Sequence, residues 1–291
     1  MKRLPVVTAA AVVAALLAGS GQAQAAVPTD PITSLSKQFV PGLGVRVDET
    51  TRTTFSGIKG VFTARTNGVI GFGKSAAVNH DLTSKTRLTD EQKTALGASQ
   101  DYEPTPLQAI KVGRYTYVKG FDWGTMPEGK HWIRFGKHNS SWGNDGQRGD
   151  QLVDVFDPAI LKTVISKSTI AKPGEYRGTL TAHDLYKGRF TLSDVRKISF
   201  RLFVNRDQLP VRLITEYNQK TEWPNKDGKL VKGTQHDVID TRYSDWGAKV
   251  TITAPPAGEV IGIEDVKWPS TAETPLDAVT DRMHAAVLPK D

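Results

Sequence analysis

The chain has 291 residues and no cysteine. Disulfide bonds, thiolate metal ligands and cysteine nucleophiles are therefore excluded together. Long apolar runs are also scarce, because the longest, at residues 4–17, is shorter than the roughly 20 residues that span a bilayer. The sequence thus predicts no membrane-spanning helix. Its length is sufficient for a core that needs no covalent cross-links.

Motifs that would indicate catalysis or cofactor binding are missing as well. The chain has no Gly-x-Ser-x-Gly elbow and no His-Glu-x-x-His pair, and its six histidines are dispersed. Phosphate-binding glycine loops and dinucleotide fingerprints are absent too. We therefore predict a protein that is not an enzyme, with no catalytic residues, no metal ligands and no cofactor.

Three His-Asp dipeptides could indicate an enzyme. Neighbouring residues on a strand point to opposite faces, so an adjacent His and Asp cannot form the hydrogen bond of a catalytic dyad unless a turn intervenes. We expect these residues to lie on the surface, and a hydrolase using His183 or His236 is the least favoured hypothesis. The dipeptides are His80-Asp81, His183-Asp184 and His236-Asp237.

The charge of the chain is mildly basic, with a formal net charge of +7. Lys and Arg are scattered among Asp and Glu, and no basic stripe alternates with stacking aromatic residues. This distribution is typical of a soluble surface, and it gives no reason to expect nucleic acid as a partner.

The first 25 residues have the pattern of a secretory signal peptide. Lys2 and Arg3 precede the apolar run, and Ala23-Gln24-Ala25 provides the small residues that signal peptidase requires. Residues 17–20, Leu-Ala-Gly-Ser, match a lipobox except that serine replaces the lipidated cysteine. The sequence predicts a secreted or cell-envelope protein without a lipid anchor.

Residues 50–83 alternate at a period of two, which favours half-buried strands, and Asn67-Gly68 predicts a hairpin turn between two of them. Residues 88–97 predict a short helix with Thr89 as cap and Gln92 at its third position. Asp157-Pro158 predicts the start of a second helix. Later strands are expected at residues 176–182, 198–204, 211–217 and 238–243, joined by short turns, as in an antiparallel meander.

Four residues are candidates for the wall of an apolar cavity. Ile198, Phe200 and Leu202 share one face of their predicted strand. Trp132, on a strand predicted at residues 131–135, is equally well explained as a cavity residue and as a core residue.

The order of several segments resembles that of actinobacterial lipoproteins of the LppX and LprG type, which have the LolA-like fold. The similarity is carried by residues 112–118 (Val-Gly-Arg-Tyr-Thr-Tyr-Val), 126–134 (Met-Pro-Glu-Gly-Lys-His-Trp-Ile-Arg), 176–180, 203–212 and 243–250, followed by Ala-Pro-Pro-Ala at 254–257. It covers most of residues 55–260. The missing lipidation cysteine is the one departure, and it argues against tethering at a membrane.

This resemblance implies an α+β fold: a mainly antiparallel, strongly curved half-barrel sheet whose concave face is covered by helices. On that basis we divide the chain into a signal peptide (1–25), an N-terminal segment (26–49), a LolA-like half-barrel domain (50–262) and a C-terminal tail (263–291). In carriers of this family the cavity between sheet and helices holds acyl chains.

The predicted function is therefore a secreted monomer that binds or carries a lipid or another hydrophobic molecule. The alternative is a module of the same scaffold that acts by binding a protein of the cell envelope.

Overall fold

The computed structural model describes residues 30–96, 98–120, 126–136, 148–186, 197–224 and 230–266. The helices are α1 (Pro31–Gln38), α2 (Asp90–Leu96), α3 (Pro158–Ser166) and α4 (Ala182–Tyr186), and two 3-10 turns lie at Ala257–Glu259 and Ile263–Asp265. The strands are β1 (Leu43–Phe55), β2 (Phe62–Phe72), β3 (Ala77–Arg87), β4 (Leu107–Val112), β5 (Tyr115–Lys119), β6 (Trp132–Phe135), β7 (Ser168–Lys172), β8 (Glu175–Thr181), β9 (Lys197–Val204), β10 (Pro210–Pro224), β11 (Leu230–Lys249) and β12 (Val260–Gly262).

All these strands belong to one open, curved sheet, in the order β12-β6-β5-β4-β3-β2-β1-β11-β10-β9-β8-β7. Every neighbouring pair is antiparallel except β12 and β6, which are parallel. The predicted fold class, a mainly antiparallel curved sheet with a few helices, is confirmed. The first strand of the sheet begins at Leu43. The sequence predicted a later start of the half-barrel domain, at residue 50.

The hairpin predicted at Asn67-Gly68 is wrong, because both residues lie inside β2. Gly68 pairs with Val47 on one side and with Leu82 on the other. A Cβ atom at residue 68 would collide with the backbone carbonyl oxygen of Asp81. Glycine is therefore required here by the close approach of the neighbouring strand, and not by a turn.

Both predicted helix starts are confirmed. At α2, the backbone N–H of Thr89 donates to Gln92 Oε1 at 2.8 Å, and the N–H of Gln92 donates to Thr89 Oγ1 at 3.3 Å, which is the reciprocal capping box. At α3, the carboxylate of Asp157 accepts hydrogen bonds from the N–H groups of Ala159 and Ile160. The chain leaves α3 at Ser166 and enters β7 almost at once.

We expect Asp157→Ala to lower the free energy of unfolding by about 1 kcal/mol, because two N–H groups at the start of α3 lose their acceptor. Urea denaturation of the two proteins measures the difference. Asp157→Asn retains the accepting oxygen and serves as the control. An equal loss in both variants would contradict the capping role.

The main core lies between the sheet and a cover made of α1, α3, α4 and the segment 152–156. From the sheet, β1, β2, β3, β8, β9, β10 and β11 contribute to it. Leu35 of α1 and Leu161 and Val164 of α3 are fully buried in this cluster. In the part of the chain that the structure describes, each helix is too short or too polar to span a bilayer.

Candidate functional site

Antiparallel pairing aligns the buried side chains of β9 with those of β10. Ile198 is opposite Tyr217, Phe200 is opposite Thr215, and Leu202 is opposite Leu213. Directly paired residues point to the same side of a sheet, so these side chains form one surface that faces α3. The three candidate residues of β9 are thus brought together.

Trp132, the fourth candidate, lies on the opposite face of the sheet. In β6 its neighbour Ile133 pairs with Val118 and packs against Val266 on the covered side, so Trp132 must point the other way. It packs with Ile110 and Tyr117 in a separate cluster, where it is 6% exposed. The four candidates therefore do not line a common wall.

A longer alignment crosses the sheet on its covered face. Tyr243 of β11 is opposite Val47 of β1, and Val47 is opposite Gly68 of β2. The same alignment continues from strand to strand as far as β12 at the edge of the sheet, and none of its residues is charged. We call this alignment the apolar row. It consists of Tyr243, Val47, Gly68, Leu82, Ala109, Val118, Ile133 and Ile261.

A small cleft lies at one end of the apolar row, beneath the segment 152–156. Its volume is about 10 Å³, which is close to what one water molecule needs. Apolar side chains make up most of its wall, and Arg148, Gln151 and Asp154 provide polar atoms. In the conformation described, the interior at this point is almost filled. The apolar lining is Val47, Ile70, Val153, Val155, Phe156 and Tyr243.

Beside the apolar row the covered face becomes polar. Glu49 of β1 is fully buried, and its Oε1 accepts a hydrogen bond from the N–H of Asp150 at 2.7 Å. The hydroxyl of Thr241 donates to Glu49 Oε2 at 2.7 Å. Burial, reinforced by the negative charge of Asp150, raises the pKa of Glu49 to about 8. The carboxyl group is therefore mainly neutral at pH 7.

Further along the same face, Asp237 is also buried. Its carboxylate accepts hydrogen bonds from Thr53 Oγ1 at 2.6 Å and from Gln235 Nε2. Burial raises the pKa of Asp237, and these two hydrogen bonds oppose that effect. The covered face thus presents an apolar region and a polar region side by side.

The three His-Asp dipeptides behave differently from one another. His183 is exposed, and His236 Nε2 lies 3.0 Å from Glu216 Oε1 at a half-buried position. His80, which we expected on the surface, is buried, because it faces the cover while Asp81 on the other face accepts a hydrogen bond from Gln108. No dipeptide forms a dyad.

Within the described ranges, no three His, Asp or Glu side chains are grouped so that they could hold a metal ion. Arg148 and Asp154 form a nearly buried ion pair, and Arg148 Nη2 also donates to the carbonyl oxygen of Ala77 at 2.9 Å. This pair anchors the beginning of the cover to β3.

No model of a protein family and no curated protein matches the chain. The chain is similar to two solved structures. A LolA superfamily protein from Nitrosomonas europaea is 13% identical, with 78% of this chain and 93% of that chain covered and a TM-score of 0.26. The lipoprotein LppX from Mycobacterium tuberculosis is 14% identical, with 77% and 98% covered and a TM-score of 0.32.

Sequence reasoning missed the polar residues of the covered face. Glu49, Asp150 and Thr241 come together from positions that are far apart in the chain. One signal was available for part of this set: in β1 the alternation Val45, Val47, Glu49 places a carboxylate on an otherwise apolar face.

Proposed function

We propose that this is an exported, non-enzymatic protein that binds a lipid or another hydrophobic molecule between the covered face of the sheet and its helices. The observation that carries the proposal is the apolar row, which extends through β11, β1, β2, β3, β4, β5, β6 and β12. A strand spacing of about 4.8 Å makes such a row long enough for an extended acyl chain.

Affinity would come from burial of apolar surface, at about 25 cal/mol per Å². The cleft beneath the segment 152–156 accommodates far less than an acyl chain, so binding requires the cover to move away from the sheet. The segment 152–156 is joined to the sheet by side-chain packing and by the Arg148–Asp154 pair, and these are the contacts that would open.

The test is native mass spectrometry of the purified chain, followed by lipid extraction. We expect a bound lipid in the wild-type protein. Ala109→Phe places a large ring in the middle of the apolar row and should reduce the bound fraction at least tenfold. Ala254→Phe, at an exposed position outside the sheet, is the matched control and should retain the lipid.

A wild-type protein that carries no lipid and takes none from mixed phospholipid vesicles would refute the proposal. Equal occupancy in the wild type and in Ala109→Phe would show that a ligand binds elsewhere. Circular dichroism of both variants establishes that they are folded.

The second candidate is a module that binds a protein of the cell envelope. Two observations favour it: the cleft has room for about one water molecule, and Ile170 on the edge strand β7 is 70% exposed. An empty protein that retains a specific envelope partner after Ala109→Phe, and loses it after Ile170→Asp, would support this candidate.

A further inference from the structure

A second row on the covered face lies directly beside the apolar row. It runs from Val45 through Ile70 and His80 to Lys111. His80 and Lys111 are directly paired across β3 and β4, and they are 5% and 7% exposed. Two nitrogen-bearing side chains are therefore buried next to an apolar surface.

Arg148 approaches the same place from the cover. Its guanidinium donates to the carbonyl oxygen of Ala77, three positions before His80 in β3, and its side chain is 9% exposed. Arg148 also lines the cleft at the end of the apolar row. Asp154 is the carboxylate partner of Arg148.

His80 Nδ1 is buried and has no hydrogen-bond partner within the described part of the chain. A buried polar atom without a partner is unfavourable in a folded protein, and a water molecule, an ion or a ligand group can provide the missing partner. Burial, followed by the charges of Arg148 and Lys111, lowers the pKa of His80 to about 3. The ring is therefore neutral near pH 7 in the structure as it stands.

We propose that His80, Lys111 and Arg148 form a site for the anionic head group, a carboxylate or a phosphate, of an amphiphile whose chain lies along the apolar row. This assignment rests on the proposed function. The anion would accept hydrogen bonds from Arg148 and from a protonated His80, and Lys111 would add positive charge. Bound negative charge favours the protonated ring, so binding takes up a proton at His80.

The groups that face His80 determine how its protonation responds to the ligand. In the part of the chain that the structure describes, the charged groups that act on His80 are Arg148, whose partner is Asp154, and Lys111 of β4. The positive charges of Lys111 and Arg148 lower the pKa of His80. A bound anion neutralises these charges and therefore raises that pKa again. Affinity for an anionic amphiphile should therefore rise as the pH falls.

The experiment compares dodecanoate with dodecanol, which have the same chain and differ in head-group charge. Isothermal titration calorimetry of the full chain at pH 6 and pH 8 provides both affinities. For the wild type we expect dodecanoate to bind at least tenfold more tightly than dodecanol at pH 6. The preference should shrink at pH 8, while dodecanol affinity stays constant.

Two variants test the assigned residues. His80→Gln and Lys111→Met should each remove most of the preference for dodecanoate and leave dodecanol affinity within about twofold, since the apolar row is intact. His80→Gln should also reduce the pH dependence between pH 6 and pH 8. His183→Gln changes an exposed histidine and should behave like the wild type.

Equal wild-type affinity for the acid and the alcohol would overturn the head-group site and leave the apolar site standing. Binding of neither compound would refute the proposed function itself. Acetate and inorganic phosphate are titrated alone: binding at least a hundredfold weaker than dodecanoate supports a head-group site. Phosphate that binds as tightly as dodecanoate would make this a site for free anions and overturn the proposal.

Discussion

Phe156→Ala is expected to lower the free energy of unfolding by about 3–5 kcal/mol, the usual cost of removing a buried aromatic ring. Phe156 is 3% exposed and belongs to the segment that covers the sheet. Its ring centroid lies 5.3 Å from that of Tyr243, 5.9 Å from that of Trp246 and 6.3 Å from that of Phe72. One side chain thus joins the cover to β2 and β11.

The comparison is made by urea denaturation of Phe156→Ala and two further variants. Phe156→Leu retains much of the apolar volume, so its loss should be smaller. Ile170→Ala removes a side chain that is 70% exposed and should change stability by no more than about 0.5 kcal/mol. A loss in Phe156→Ala no larger than that of Ile170→Ala would mean that the cover contributes little to the stability of the sheet.

Glu49→Gln is expected to make the protein markedly more stable at pH 8 and to change it little at pH 4. The pKa of Glu49 is raised in the folded protein, so the folded state holds the proton more tightly than the unfolded state. At low pH both states are protonated and burial carries no ionisation cost. As the pH rises from 4.5 to about 8, the unfolded state ionises first and the folded state loses stability.

Each unit of difference between the folded-state and unfolded-state pKa of Glu49 corresponds to about 1.4 kcal/mol. The stability that the wild type loses through Glu49 therefore reaches several kcal/mol at pH 8. Glutamine cannot ionise. Its amide oxygen can accept from the N–H of Asp150, and its NH₂ group can donate to the rotatable hydroxyl of Thr241, which keeps both contacts.

Urea denaturation at pH 4.5, 6, 7 and 8.5 measures this effect as a stability difference between wild type and variant that grows with pH. Glu222→Gln, at an exposed position of β10, is the matched control and should change stability little at any of these values. If wild type and Glu49→Gln lose stability in parallel between pH 4.5 and 8.5, Glu49 does not stay protonated in the folded state.

The sequence predicted the parts of the fold that depend on short-range patterns. The capping box of Thr89 and Gln92 and the N-cap at Asp157 are made by residues within three positions of each other. The strand face of Ile198, Phe200 and Leu202 follows from alternation within one strand. The short turn between β9 and β10 favours antiparallel neighbours, as observed, whereas the short turn expected between β8 and β9 is wrong, because α4 lies between those strands.

The predictions were wrong where contacts with another strand or with the cover determine how a side chain is placed. Asn67-Gly68 has the composition of a turn, yet the glycine serves the close approach of β3. The face of Trp132 depends on which residue of β6 opposes Val118, and the short strand offers no strong alternation. The burial of His80 depends on the cover, which comes from a distant part of the chain.

The pairing of β1 with β11 in the middle of the sheet also limits when the sheet can fold. Thr241 and Glu49, joined across these strands, are 192 positions apart. The middle of the sheet can therefore close only after residue 241 has been synthesised, and closing so large a loop costs conformational entropy before the contacts between β1 and β11 form. We therefore expect the sheet to fold slowly.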